Sequence, residues 1–261
     1  ELRLAGVAAA ALAALVFALA QPYIRSPGHI DGSMIVLLDA SASMTATDGE
    51  EGTSRFALAV EETSRLINEL DGDDVMTLII VGRAPVVAAA ATNDKSLLRR
   101  ALGSYSPDLS SADWSSAIAM ASGLSQGLQE PQIVIISDGG LSAGLPPVTG
   151  EVIFLPVGRS GDNLAISTIG GRPSGSEIDL LVSVANYGQT TGQALLSLYA
   201  DNKLIDSRNV EVAPDEIAPI SWRIPNDVGI LEAKLAATGE SADYLAVDDR
   251  AWSIASGRSK R

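Results

Sequence analysis

The sequence has no cysteine and a single histidine, His29. The first absence excludes a disulfide scaffold, thiolate zinc sites, iron–sulfur clusters and a cysteine nucleophile. The second excludes a histidine-rich metal centre and argues against a Ser-His-Asp triad. Positive charge is scarce as well: 18 Lys and Arg stand against 32 Asp and Glu, a net charge of −14. No cation cluster is present to displace phosphate counterions, so nucleic acid is not an expected partner. The acidity suits cations, basic partners or simple solubility. A length of 261 residues allows one large or two modest domains, each able to bury a core. Only 19% of residues are charged while 46% are apolar, so some part of the chain is strongly apolar.

That part is Leu4 to Ala20 (LAGVAAAALAALVFALA), with Arg3 before it and Gln21-Pro22 after it. As a helix it would be about 25 Å long, the short end of a bilayer span. Its alanine content makes it helical by propensity and near neutral for insertion. The favoured expectation is a transmembrane helix over 1–21, placing the protein at the cell membrane. A secretory signal peptide ending at Ala18-Leu19-Ala20 and a buried soluble helix are the alternatives. Residues 22–32 read as a linker with His29 solvated in it.

Beyond the linker, strand and helix signals alternate. Met34–Asp39 (MIVLLD), Asp74–Val81, Gln132–Ser137 (QIVIIS) and Val152–Val157 are short continuous apolar runs, the pattern of parallel strands buried on both faces. Val86–Ala91 reads as an edge strand. Phe56–Leu70 carries a helical apolar stripe, and Asn93–Leu102 and Asp113–Leu128 read as further helices. This repetition predicts a doubly wound, mostly parallel α/β sheet over 33–158. After Gly158–Asp162 the apolar residues alternate instead. Glu177–Ala185, Gly192–Ala200, Lys203–Val212, Ala218–Ile224 and Gly229–Ala236 fit strands separated by Asn, Asp, Gly and Pro turns. An all-β, Ig-like sandwich is expected over 162–255, with a polar tail at 256–261.

The first buried strand ends in Asp39-Ala40-Ser41-Ala42-Ser43. In doubly wound sheets ligands bind at the carboxyl ends of the strands. One carboxylate with hydroxyls two and four residues on offers hard oxygen ligands, suited to Mg²⁺, Mn²⁺ or Ca²⁺. A second buried strand ends in Ser137-Asp138-Gly139-Gly140, so two strand-end carboxylates can converge on one cation. Taken singly, Asp39 with its serines is also readable as a turn cap, and Asp138-Gly139 as an ordinary turn. Asp113 divides between N-cap of its helix and ligand. Asp71, Asp73 and Asp74 read as a solvated turn.

The D-x-S-x-S sequence, with a late S-D-G about 100 residues on, resembles the von Willebrand factor A domain and its metal-ion-dependent adhesion site. The resemblance implies that Ser41 and Ser43 ligate the cation directly, and Asp39 and Asp138 directly or through water. It implies a protein partner whose carboxylate completes the coordination. The family's next ligand is a Thr, and its position here is Ala112, in Ala112-Asp113-Trp114-Ser115-Ser116. Asp113, Ser110 or Ser111 would have to supply that oxygen. The order of apolar segment, A domain, Gly161-Asp162-Asn163-Leu164-Ala165-Ile166-Ser167 and all-β segment resembles bacterial membrane proteins with an aerotolerance-regulator-type N-terminus. That group implies soluble domains outside the cytoplasm, and it makes the present chain a fragment of a longer protein. The expected function is a membrane-anchored, non-catalytic binding module working through a divalent cation. A metal-free assembly scaffold is the alternative. A Mg²⁺-dependent hydrolase is a distant third, because the site has no P-loop, basic cluster or histidine base near it.

Overall fold

The computed structural model describes residues 32–255 except 129, 130, 142, 143 and 149. Five strands form the first sheet: β1 (Ser33–Asp39), β2 (Val75–Val81), β3 (Val86–Thr92), β4 (Gln132–Ser137) and β5 (Glu151–Pro156), in the order β3-β2-β1-β4-β5. β1 runs parallel to β2 and β4, and β5 runs parallel to β4. β3 turns back antiparallel along the edge. The central position of β1 follows from its composition. Met34 to Asp39 are all buried, as only a strand covered on both faces can be.

Helices supply that cover. α1 (Arg55–Glu69) and α2 (Lys95–Leu102) lie on one face, where Phe56, Ala59, Ile67, Leu98 and Leu102 meet Met34, Val36 and Leu38. α3 (Trp114–Ser125) lies on the other, where Trp114, Ala117, Ile118 and Ala121 meet Ile35 and Leu37. Alternate residues of one strand thus feed two cores, as the two-residue period of a strand requires. Each helix begins at a side-chain cap: Ser54 for α1, Asp94 for α2 and Asp113 for α3.

Seven strands build the rest. β6 (Leu164–Ser174), β7 (Glu177–Asn186) and β10 (Ile217–Pro225) form one sheet, in the order β10-β7-β6. β8 (Gly192–Ala200), β9 (Lys203–Val212), β11 (Ile230–Ala237) and β12 (Arg250–Ile254) form the other, in the order β12-β11-β8-β9. All pairings in both sheets are antiparallel. The two sheets enclose a separate core containing Leu180, Val182, Leu196, Leu198, Trp222 and Leu231. Pro219 sits in β10, an edge strand, where a missing N–H breaks no internal ladder.

The expected fold needs one correction. The apolar helix placed at its N-terminus, Leu4 to Ala20, lies outside the described residues. Among the described residues no helix is long and apolar enough to cross a membrane. The described fold is an α/β part followed by a β-rich part, and the expected membrane localisation does not stand. The sequence pattern predicts neither β6 nor β12 as a strand: Gly170-Gly171 and Pro173 interrupt the alternation of β6, and β12 is only five residues long.

Candidate functional site

β1 and β4 are neighbours, so Asp39 and Ser137-Asp138 emerge side by side at the carboxyl edge of the sheet. Asp39 is fully buried. Its Oδ1 accepts the backbone N–H of Ser41 at 2.9 Å, and its Oδ2 accepts the hydroxyl of Ser137 at 2.6 Å. Burial pushes its pKa upward, the Ser137 and Ser41 hydrogen bonds oppose that, and the nearby charge of Asp138 adds to it. The chain then enters a short 3-10 turn, Ala42–Thr45. At its start the hydroxyls of Ser41, the residue before the turn, and Ser43 lie 3.2 Å apart. One carboxylate and two hydroxyls therefore share a small volume at the mouth of the sheet.

Asp138 faces a different partner. Its Oδ2 accepts from Nη1 of Arg55 at 2.7 Å, and its Oδ1 accepts the N–H of Gly140 at 3.1 Å. Arg55 opens α1 and also holds Asp48, with Nε on Oδ1 at 2.9 Å and Nη2 on Oδ2 at 3.2 Å. Burial works to raise the pKa of Asp48, but the Arg55 guanidinium and the N–H groups of Ser160 and Arg159 hold it at about 2.

The loop before α3 reaches the same edge of the sheet. Ser110 accepts the N–H of Ala42 through its carbonyl at 2.9 Å, and the N–H of Asp113 bonds the carbonyl of Gly82 at 2.9 Å. The carboxylate of Asp113 is turned onto its own helix. Oδ1 takes the N–H of Ser116 at 3.0 Å and Oδ2 takes its hydroxyl at 2.6 Å. The Ser116 hydroxyl and then its N–H hold the Asp113 pKa below the usual range. The structure thus brings Asp39, Ser41 and Ser43 together, sets Asp138 beside them on Arg55, and uses Asp113 as a cap. Ala112 packs against the core under α3 and offers no side-chain oxygen.

Arg55, Asp48 and Ser137 were not singled out from the sequence. Ser137 is visible in the sequence as the residue before Asp138, and only the register of β1 against β4 places it by Asp39. No spacing rule ties Arg55 to Asp138, which lies 83 positions away.

The donor set suits a hard divalent cation at Asp39, Ser41 and Ser43: three oxygens, one of them a buried carboxylate with no basic side chain on it. Asp138 suits one less well, because a guanidinium already neutralises it. Among the described residues no group of three or more His, Cys, Asp or Glu side chains is placed to hold a metal ion, at this site or at any other.

Residues 34–140 match the family model of the von Willebrand factor type A domain. Among solved structures, the protein BatB from Bacteroides thetaiotaomicron is 28% identical, with 44% of this chain and 57% of that chain covered and a TM-score of 0.39. An aerotolerance-related membrane protein from Bacteroides fragilis is 20% identical over 56% of this chain and 73% of that chain, with a TM-score of 0.37. The vWF domain of the type V pili tip protein Mfa5 from Porphyromonas gingivalis is 17% identical over 43% of this chain and 39% of that one, with a TM-score of 0.36. The chain thus spans little more than half the length of BatB. A comparison with curated proteins returned no match.

Proposed function

We propose that the chain is a non-catalytic binding module. Its A domain recruits a protein partner through the edge formed by Asp39, Ser41, Ser43 and Asp138. The observation that supports this is the Asp39 carboxylate: wholly buried, answered only by hydroxyl and amide donors, and opening onto two serine hydroxyls. A buried carboxylate without a cation is costly, and a divalent ion is the compensation its oxygen neighbours suit.

Mg²⁺ or Mn²⁺ bound there would present a positive charge and an open coordination position to a carboxylate of the partner. Asp39 and the two serines would hold it. Asp138, once free of Arg55, would add a fourth oxygen. Among the described residues no histidine stands beside these groups to activate a serine hydroxyl, and binding rather than turnover is the chemistry we favour.

A metal-independent assembly scaffold is the second reading. The Arg55 guanidinium on Asp138 and the apolar Ala112 favour it. Thermal melting of the full chain with millimolar Mg²⁺ or Mn²⁺ separates the two. A cation held only by the folded state raises the melting temperature. A rise that EDTA reverses, and that Asp39→Asn abolishes, supports the cation site. No shift with either ion leaves the scaffold.

A further inference from the structure

Arg55 joins three parts of the chain with one guanidinium. Nη1 holds Asp138 at the end of β4, at 2.7 Å. Nε and Nη2 hold Asp48, in the loop after the serines, at 2.9 and 3.2 Å. Nη2 also donates to the carbonyl of Ser160 at 2.7 Å, in the segment that connects the two domains. Asp48 completes the fastening. Its buried Oδ2 accepts the backbone N–H groups of Arg159 at 2.6 Å and Ser160 at 2.8 Å. The close approach depends on Gly158, where φ is +93° and a Cβ would stand 2.7 Å from Nε of Arg55. A few residues away the second domain touches the same loop, with the N–H of Thr47 on the carbonyl of Tyr244 at 2.9 Å. Arg55 also lines an interdomain cleft of about 340 Å³, with Tyr187, Tyr244 and Asp248 among the other walls.

We infer that Arg55 is an autoinhibitory cation: it competes with a divalent ion for Asp138, and loading the site loosens the hold on the connecting segment and frees the second domain to move. The inference rests on the cation site proposed above. Two physical facts carry it. A guanidinium stays charged at every relevant pH, so a divalent ion at Asp138 meets a like charge in a part-buried setting where repulsion is poorly screened. The guanidinium is also a rigid plane, so a displacement of the group off Asp138 is shared by Nη2 on Ser160 and by Nε on Asp48. The site and the domain junction are thereby coupled, and coupling is reciprocal. Whatever weakens the Arg55 contact strengthens cation binding.

The test uses the full chain in three forms: wild type, Arg55→Met and Arg55→Lys. Mg²⁺ and Mn²⁺ affinities come from calorimetric titration. Domain separation comes from pulsed electron spin resonance between labels on Glu61→Cys and Lys203→Cys, both exposed and free of competing native cysteine. Arg55→Met is expected to bind the ions at least tenfold more tightly than wild type, and to show a broad distance distribution with or without them. The wild type is expected to pass from a narrow to a broad distribution as the ion is added. Arg55→Lys keeps the charge and loses the fork, so it is expected to bind the ions as weakly as wild type while its distances broaden. It also serves if the Met variant does not fold. Equal or weaker binding by Arg55→Met, or distances that neither variant changes, overturns the inference. If no form binds either ion, the cation site itself fails, and narrow distances in Arg55→Lys then dispose of the latch as well.

Discussion

Ser137, the last residue of β4, donates its hydroxyl to the carboxylate of Asp39, the last residue of β1, at 2.6 Å. Both are fully buried, and 98 positions of sequence separate them. The bond fixes the orientation of the carboxylate that opens the candidate site, and it exists because β1 and β4 are adjacent and parallel.

Removing that donor leaves a buried acceptor half satisfied. Ser137→Ala is expected to cost about 1–3 kcal/mol of stability, the usual range for a stranded buried polar group. Urea unfolding followed by circular dichroism measures it. A midpoint equal to wild type would show that the bond is not needed.

Asp39→Asn should do the reverse. Its folded-state pKa is raised by burial, so at neutral pH the charged form is a burden on the ion-free fold. The neutral amide keeps an acceptor for the Ser41 N–H, and its NH2 reverses the other bond, donating to the Ser137 hydroxyl oxygen. Stability without divalent ions is expected to be equal to wild type or higher, while the response to Mg²⁺ disappears. A destabilised Asp39→Asn protein with an intact Mg²⁺ response would contradict both halves.

Gly158→Ala should be costly, about 1–3 kcal/mol for forcing a side chain into an unfavourable backbone region, with the clash against Arg55 added. Gly161→Ala is the matched control, because a Cβ there meets nothing within 4 Å and the backbone is not left-handed. Melting temperatures of the two variants should differ clearly. Equal values would mean that the connecting segment shifts freely.

The loop between β11 and β12 adds to the pH dependence that buried Asp39 also carries. Burial, with Asn163 opposing and Asp243 reinforcing, raises Asp248 to about 6. Burial and the charge of Asp243 raise Asp249 to about 7. Both values lie above the unfolded value of 3.8, so between about pH 4 and pH 7 the folded chain binds more protons than the unfolded one. Stability therefore falls as pH rises through that window. Asp48 acts oppositely, but only below pH 4, because its folded value is about 2. Melting temperature is expected to decline from pH 5 to pH 8, and Asp249→Asn is expected to flatten the decline. A flat wild-type profile would refute this.

The α/β part was legible in the sequence almost strand by strand. Runs such as MIVLLD and QIVIIS are apolar at every position because both faces of the sheet are covered, and that requirement is local. The sequence leaves the cap of α2 between Asn93 and Asp94, and Asp113 between cap and ligand; the structure gives both caps to the aspartates. β6 and β12 were not legible, since their strand character comes from pairing partners rather than from their own alternation. Membrane anchoring, expected from Leu4 to Ala20, is not carried by the described fold.

The sequence by itself determined which chemistry is available. It holds no thiol, one imidazole and few cations, and its Asp and Ser groups stand where buried strands end. Side-chain type and two-residue periodicity suffice for that. Only the tertiary structure decided how those groups are paired. Asp113 turned to Ser116, Asp39 to Ser137, and Asp138 to an arginine 83 positions away. A hydrogen bond or ion pair depends on distances of about 3 Å between atoms, and spacing along the chain does not fix such distances once sheet order and helix packing intervene.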